Sequence, residues 1–398
     1  MSEALAERAQ IRLHMLALPH TVTTDAFSHC AFTGKVKRFG PMMRSVGYEV
    51  FHYGIEGSES GASRDITVLT KDEWRVLRLS AYKSLHPEKS MEECQTLLDS
   101  SASFIGDLAN IGTVLYKIFN ERLRLLLKEN YRSHETDIVC LPFGRSHNEA
   151  LEGLNPVAVE SGIGYNSSTR GYRIFESYAW LHHEMAKGEK SPQNYWFVVP
   201  NYFDVAMWPL SLTPKIDTVG FLGRLGSTKG CFEVASIAAR MPHMRFIICG
   251  QGDPTPFLTS PNIEYKTPIH GEERAEYLGS LVACLAPSRF TEPFCGVAVE
   301  AQLCGTPVIT THCGAQTETV KHGVTGLLCH TLQDYVVGIT MAVQGKFDRA
   351  YIRARAVKRY DMYNVARQYD YAFKCINDVH NKRNGWSGTS SNLEHLLA

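Results

Sequence analysis

Two cations and two carboxylates in the second half of the chain have the types and spacing to act on one ligand. "VGFLGRLGSTKG" (219–230) reads as a strand that runs into a glycine-rich turn from Gly223, carries Arg224 and Lys229, and opens a helix at Cys231. Such a turn lets backbone N–H groups approach a phosphate, and the helix N-terminus favours the anion. The bland reading is an ordinary strand–helix turn with surface cations. "SRFTEPFCGVAVEAQLCGTPVITTHCG" (288–314) puts Glu292 on the loop after a buried strand and Glu300 in the first turns of the next helix. Gly296 permits close backbone approach; Val297, Ala301 and Cys304 share one helix face, which is read as core. Gly305 and Pro307 then stop the helix. Three chemistries compete for the glutamates. A metal site is poorly served, because no His or Asp joins them at ligand spacing. A carboxylate dyad would need both groups about 5–10 Å apart on one sugar carbon. A ligand with an anionic middle and hydroxylated ends uses all four side chains, the cations for a diphosphate and the carboxylates for hydroxyls.

The elements that must position these groups are short apolar runs alternating with amphipathic helical stretches, the pattern of parallel sheets covered by helices. Strands are predicted at 11–18, 48–54, 137–144 and 156–162, with a long helix over 105–130. In the second half they follow at 217–223, 244–250, 263–267, 282–288 and 307–311. Pro209 and Pro214 break the pattern near 208–217, so the chain reads as two doubly wound units: 1–211, joined by a C-terminal helix over 372–398, and 212–371. The aromatic-rich stretch 362–382 has no strand partner and is expected to pack across the junction; 384–391 reads as a turn. "ICGQGDPTP" (248–256) offers Gly250 and Gly252 but lacks the third glycine of a dinucleotide fingerprint, and Pro254 and Pro256 obstruct its helix. That disfavours an oxidoreductase.

Composition narrows the field. Hydrophobic content of 44% and charged content of 21% are those of a soluble globular chain. A formal net charge of zero argues against a nucleic-acid binder. The 11 cysteines contain no C-x-x-C pair, and Cys140, Cys249 and Cys284 sit in apolar runs, so a reducing, cytoplasmic setting is expected. No run of eighteen apolar residues spans a membrane. The nearest candidate, 195–212, is interrupted by Pro200, Asp204 and Pro209, and peripheral membrane contact stays open.

Residues 219–326 resemble the carboxyl-terminal half of retaining nucleotide-sugar glycosyltransferases of the GT-B fold, glycosyltransferase family four. The resemblance rests on "GRLGSTKG", "YKTPIHGEERAEYL…APS", "EPFCGVAVEAQLCGTPVI" and "HGVTGLL", in order and at family-like spacing. It implies that Arg224 and Lys229 bind the donor diphosphate and stabilise its leaving charge. Glu292 and the backbone of Phe294, Cys295, Gly296 and Val297 would face the transferred sugar and phosphate. Glu300 would hold the ribose, and the backbone near Ile269 the base. One departure is visible: the family has Gly directly after the aromatic residue, where this chain has Cys295 and then Gly296.

The first half matches only in outline. Where the family has a Gly-Gly turn, this chain has Cys30 and Ala31; where many members carry a His, it has Glu160, Ser161 and Gly162. His20 and His147 are the nearest substitutes. Ser146 and Glu149 read as a helix capping box, and "GKVKR" (34–38) as a solvated helix face, with contact to an anionic acceptor or a membrane surface as the alternative.

The expectation is therefore a two-domain α/β enzyme of GT-B architecture, with two Rossmann-like domains facing a cleft. It would move a hexose from a nucleoside diphosphate sugar, GDP-mannose favoured over a UDP-hexose, to a hydroxyl of a glycan, glycoprotein or lipid-linked acceptor. No cofactor or metal is required, and a homo-oligomer is compatible. The alternatives are a sugar-nucleotide epimerase or hydrolase of the same fold, and a non-catalytic nucleotide-sugar-binding subunit.

Overall fold

The computed structural model describes residues 11–27, 30–100, 105–166, 168–188 and 195–383. The predicted turn at 384–391 and most of the expected helix 372–398 lie outside them. The described chain divides into two compact units. The first takes the residues up to Phe175, Glu184–Val199 and those from Val365 on; the second takes Glu176–His183 and Pro200–Asn364.

The first unit is a seven-stranded parallel sheet: β1 (Arg12–Leu16), β2 (Glu49–Ile55), β3 (Arg64–Leu69), β4 (Asp137–Leu141), β5 (Ala158–Ile163), β6 (Tyr172–Phe175) and β7 (Trp196–Val198). Its order is β3-β2-β1-β4-β5-β6-β7, so winding reverses between β1 and β4. The central strands are buried on both faces and lack alternation, as parallel strands covered by helices should. The sequence reading missed β3, β6 and β7. β3 and β7 are edge strands, with polar exposed residues in one and three residues in the other, so neither carries an apolar run. The predicted helix over 105–130 is a 3₁₀ turn, Gly106–Ala109, followed by helix Val114–Asn130. Asn110 Oδ1 accepts from the Gly112 N–H (3.0 Å) and closes a turn between them.

The second unit has β8 (Lys215–Leu222), β9 (Arg245–Cys249), β10 (Ile263–Lys266), β11 (Leu281–Ala286), β12 (Val308–Thr311) and β13 (Gly326–Cys329). The order is β10-β9-β8-β11-β12-β13, all parallel, with the reversal between β8 and β11. Successive residues of β8 feed opposite faces. Val219 and Phe221 pack with helices Cys231–Arg240 and Leu332–Val343, and Leu222 with helices Gly271–Ser280 and Gly296–Leu303. β13 was missed because only Gly326, Leu327 and Leu328 of "HGVTGLL" fall in this four-residue edge strand.

Two local expectations change. Ser146 and Glu149 form no capping box: each begins or lies in a short 3₁₀ turn without a side-chain cap, and Ser146 Oγ is buried unpaired. In 34–38, inside helix Ala31–Arg44, Lys35 is buried rather than solvated, and its Nζ donates to Gly162 O (2.8 Å). Helix Met362–His380 crosses residue 365, and from there it packs in the first unit, Tyr369 and Phe373 against Phe39, with Asn377 Nδ2 donating to His134 O and Glu135 O. No described helix is long and apolar enough to cross a membrane. All eleven cysteines are free thiols, and only Cys313 is exposed.

Candidate functional site

In an open parallel sheet, ligands bind beyond the carboxyl ends of the strands where winding reverses. In the second unit that place is the pair of loops after β8 and β11. They touch each other: the Arg289 N–H donates to Thr228 O (2.8 Å). Gly230, at φ 81°, closes against the second loop so tightly that a Cβ would stand 2.0 Å from Pro287 O. Only glycine fits there.

The first loop leaves β8 at Gly223, whose N–H pairs with Cys249 O (3.0 Å). Arg224 is exposed and has no ion-pair or hydrogen-bond partner among the described residues. Lys229 is different: its Nζ donates to Glu292 Oε1 (2.7 Å) and stands 4.8 Å from the Phe290 ring centre. Several amides of this turn are used internally, including Leu225 N–H to Gln251 O and Gly226 N–H to Cys231 Sγ. The expectation that the turn's amides meet a phosphate is weakened by that pairing.

Glu292 lies on its loop but is 5% exposed. Lys229 and the Ser288 hydroxyl (2.6 Å) both donate to Oε1, so Oε2 has no partner among the described residues. Ala315 N–H donates to Glu292 O (3.0 Å), which fixes the backbone from the loop after β12. Glu300 follows the same plan. Arg274 donates Nε to Oε2 (2.9 Å) and adds a second contact to the same oxygen, leaving Oε1 free of described partners. Each carboxylate is thus oriented by a cation through one oxygen and presents the other.

Helix Gly296–Leu303 starts between them. Its first amides, Gly296 and Val297, find no acceptor among the described residues, as the orphan donors of a helix N-terminus. The demanding conformation sits on Cys295, not Gly296: Cys295 is left-handed (φ 65°, ψ 68°), while Gly296 has an ordinary φ and open space around it. The Cys295 thiol is buried with Leu222, Cys249 and Ile269, and burial pushes its pKa up, so it is no nucleophile. Phe294 anchors the loop through Phe203 and Tyr360. Ile269 is itself a core residue, 3% exposed. The helix is buried more widely than one stripe: Ala298, Val299, Ala301, Gln302 and Leu303 are all buried, and Val297 is half-buried.

In the first unit the reversal lies between β1 and β4. His20 is buried after β1, with Nδ1 against Tyr116 Oη (2.7 Å) and Nε2 against Cys30 Sγ (3.7 Å). His147 is buried after β4, with Nδ1 at Asn120 Oδ1 (3.0 Å) and Nε2 unpaired. Burial brings both imidazoles down to about 3. Ala31 is exposed at the start of its helix, and Cys30 is buried. Glu160 is fully buried and occupied: Tyr165 Oη (2.6 Å), Thr169 N–H (2.6 Å) and Arg170 N–H (2.7 Å) all donate to it. The Ser161 hydroxyl is buried without a partner.

Sequence reasoning missed Arg274, Ser288, Phe290 and Gly230. Arg274 stood inside the quoted "GEERAEYL" segment, and a cation facing Glu300 was the signal to seek. Nothing local marks Ser288 as a partner of Glu292.

Residues 216–343 match the family described as glycosyl transferases group 1. The chain is similar to a GDP-mannose-dependent alpha-mannosyltransferase of Corynebacterium glutamicum, 35% identical over 123 residues, 30% of this chain and 29% of that protein. It therefore spans less than a third of that relative's length. Two solved structures share its fold over 92% of the chain and 98% of their own. These are AviGT4, a glycosyltransferase involved in avilamycin A biosynthesis (TM-score 0.60, 18% identity), and sucrose-phosphate synthase from Thermosynechococcus elongatus (TM-score 0.64, 16% identity). The two parallel α/β units are those of the GT-B glycosyltransferase fold.

Proposed function

We propose, from the match of residues 216–343 to the glycosyl transferases group 1, that this chain transfers a hexose from a nucleoside diphosphate sugar to an acceptor hydroxyl with retention of anomeric configuration. The observation that carries the reading is the paired design of Glu292 and Glu300. Each is steered by a cation on one oxygen and offers the other to a hydroxyl. Glu292 Oε2 then serves the transferred sugar and Glu300 Oε1 the ribose. Between them the unpaired amides of Gly296 and Val297 suit the diphosphate.

As the glycosidic bond stretches, the leaving diphosphate gains charge. Arg224, uncompensated in the free protein, and the amides favour that charge more than the ground state, which is the source of rate. Lys229 is already shared with Glu292, so a phosphate must draw it away or join the pair. Its role is to orient Glu292 and follow the developing charge. This reading needs no metal or cofactor. The name of the mannosyltransferase relative supports GDP-mannose; a UDP-hexose is the second candidate. The free thiols support a reducing compartment such as the cytoplasm.

Calorimetric titration with GDP-mannose and a panel of UDP-hexoses, followed by mass analysis of products with and without an acceptor, tests the proposal. Donor consumption without acceptor would instead mark an epimerase or hydrolase. Binding without turnover on any acceptor would mark a non-catalytic subunit, and absence of nucleotide-sugar binding would end the reading altogether.

A further inference from the structure

The first unit holds a cavity of about 340 Å³, lined by Ala109, Asn110, Ile111, Phe143, Arg145, Tyr165 and Asn166. That volume falls within the roughly 300–1,000 Å³ usual for small-molecule sites. It lies beyond the carboxyl ends of β4 and β5, on the side of the sheet where an α/β unit takes ligands.

Its wall is built with care. Phe143 and Tyr165 meet edge to face (5.4 Å between centroids, 71°), and Phe32 backs both rings, at 4.7 Å from Phe143. Buried Glu160 holds Tyr165 by its hydroxyl and the following loop by the Thr169 and Arg170 amides. Gly144, at φ 41°, leaves the room that Tyr165 fills, since a Cβ there would stand 2.7 Å from both Tyr165 Cε2 and Glu160 Oε2. Glu160 thus fixes one aromatic wall of this cavity.

Three lining side chains keep unused hydrogen-bonding groups among the described residues, and what they offer are donors. The Arg145 guanidinium is exposed and has no partner among the described residues. Asn110 uses its side-chain oxygen on the Gly112 N–H, and Asn166 uses its own on Lys187, while neither amide nitrogen has a partner among the described residues. Arg170 reaches Asn148 Oδ1, and Lys187 reaches both Asn166 and Glu184, while Glu160 is consumed by three donors. A site with aromatic faces, one free guanidinium and two free amide donors suits a hydroxylated ring that carries an anion.

We propose that this cavity binds the acceptor, and that the acceptor is a sugar-like ring bearing a phosphate or carboxylate. The proposal rests on the glycosyl-transfer reading above. The aromatic walls take the C–H face of the ring, the asparagine amides its hydroxyl oxygens, and Arg145 the anion. A neutral sugar would leave the guanidinium unused.

The test is calorimetric titration of the full chain with glucose, glucose 6-phosphate and glucuronate. Expected is binding of at least one anionic sugar at least about tenfold tighter than glucose, as a charge-assisted hydrogen bond provides. The two anionic arms separate phosphate from carboxylate. Arg145→Gln, at an exposed position, should erase the preference, and Ile111→Trp, which fills the cavity and leaves Arg145 in place, should abolish binding. Equal affinity for charged and neutral sugars, an unchanged Arg145→Gln, or no binding of any of them up to about 10 mM would overturn the proposal. Titration of the wild-type chain with UDP and GDP runs alongside: its failure counts against the glycosyl-transfer reading, whereas failure of the sugar titrations alone counts against the acceptor assignment.

Discussion

Cys295 carries a left-handed backbone at the entrance of helix Gly296–Leu303, one of three non-glycine residues at positive φ among those described. An L-residue there costs about 1–2 kcal/mol relative to the ordinary basin, more for a β-branched one. Cys295→Gly removes that cost, forfeits a small buried side chain worth about 1 kcal/mol, and adds about 0.5–1 kcal/mol of chain entropy. Those effects nearly cancel, so the variant should lie within about 1 kcal/mol of the parent. Cys295→Val is the informative contrast. In an ordinary core position this swap costs less than about 1.5 kcal/mol. At φ 65° the branched side chain should instead cost about 2–3 kcal/mol. For a unit of this size each kcal/mol shifts the melting temperature by about 2–4 °C, so Val should lower it by about 5–10 °C while Gly stays within about 3 °C. Nucleotide affinity should follow, because the Gly296 and Val297 amides take their direction from this residue. Thermal unfolding with calorimetric titration of GDP and UDP measures both. A Val variant as stable as the parent beside a clearly destabilised Gly variant would refute the reasoning.

Lys229→Ala and Glu292→Gln should each cut transfer by roughly a hundred- to a thousandfold. Lys229→Ala should also lower stability, because it strands a carboxylate that is 5% exposed; turnover near the parent's in either variant would remove these residues from the site. Gly230→Ala, which would drive a methyl into Pro287 O at a positive φ, should unfold the second unit or cost it more than about 2 kcal/mol, as denaturant midpoints would record. Acid should weaken the first unit through His20 and His147, both held down to about 3. Above pH ~6.5 folded and unfolded imidazoles are alike neutral. Below it the unfolded chain takes up protons that the folded one refuses, so stability falls towards pH 3 by at most about 1.4 kcal/mol per pH unit for each histidine. His147→Gln should flatten that slope in urea titrations between pH 4.5 and 7, and an identical slope would show that His147 does not stay neutral when folded.

Much of the architecture was legible because buried parallel strands announce themselves as apolar runs. All nine strands predicted from the sequence are present, and the strands it missed have only three or four residues or, as in the edge strand β3, a polar half. Helix starts were readable where turn chemistry is local, as at Cys231. Where a feature depended on what lies across the fold, the sequence offered only candidates. Lys35 is a cation in a basic run by sequence, and a buried donor to Gly162 O once the helix packs.

Local pattern was enough to read two parallel α/β units and to put Arg224, Lys229, Glu292 and Glu300 on loops or helices that follow strands of the second. Periodicity and glycine placement are local properties, so one dimension suffices to read them. Which charges are spent and which remain depends on how the chain packs. Lys229 reaches Glu292 across 63 residues and Arg274 reaches Glu300 across 26, which among the described residues leaves Arg224 uncompensated and one oxygen free on each glutamate. Packing also placed the strained backbone on Cys295 and occupied Glu160 with three donors. Ion pairing falls steeply with through-space distance, and the sign of φ at a helix entrance is fixed by how its loop closes. Neither quantity is a property of neighbouring residues in the chain.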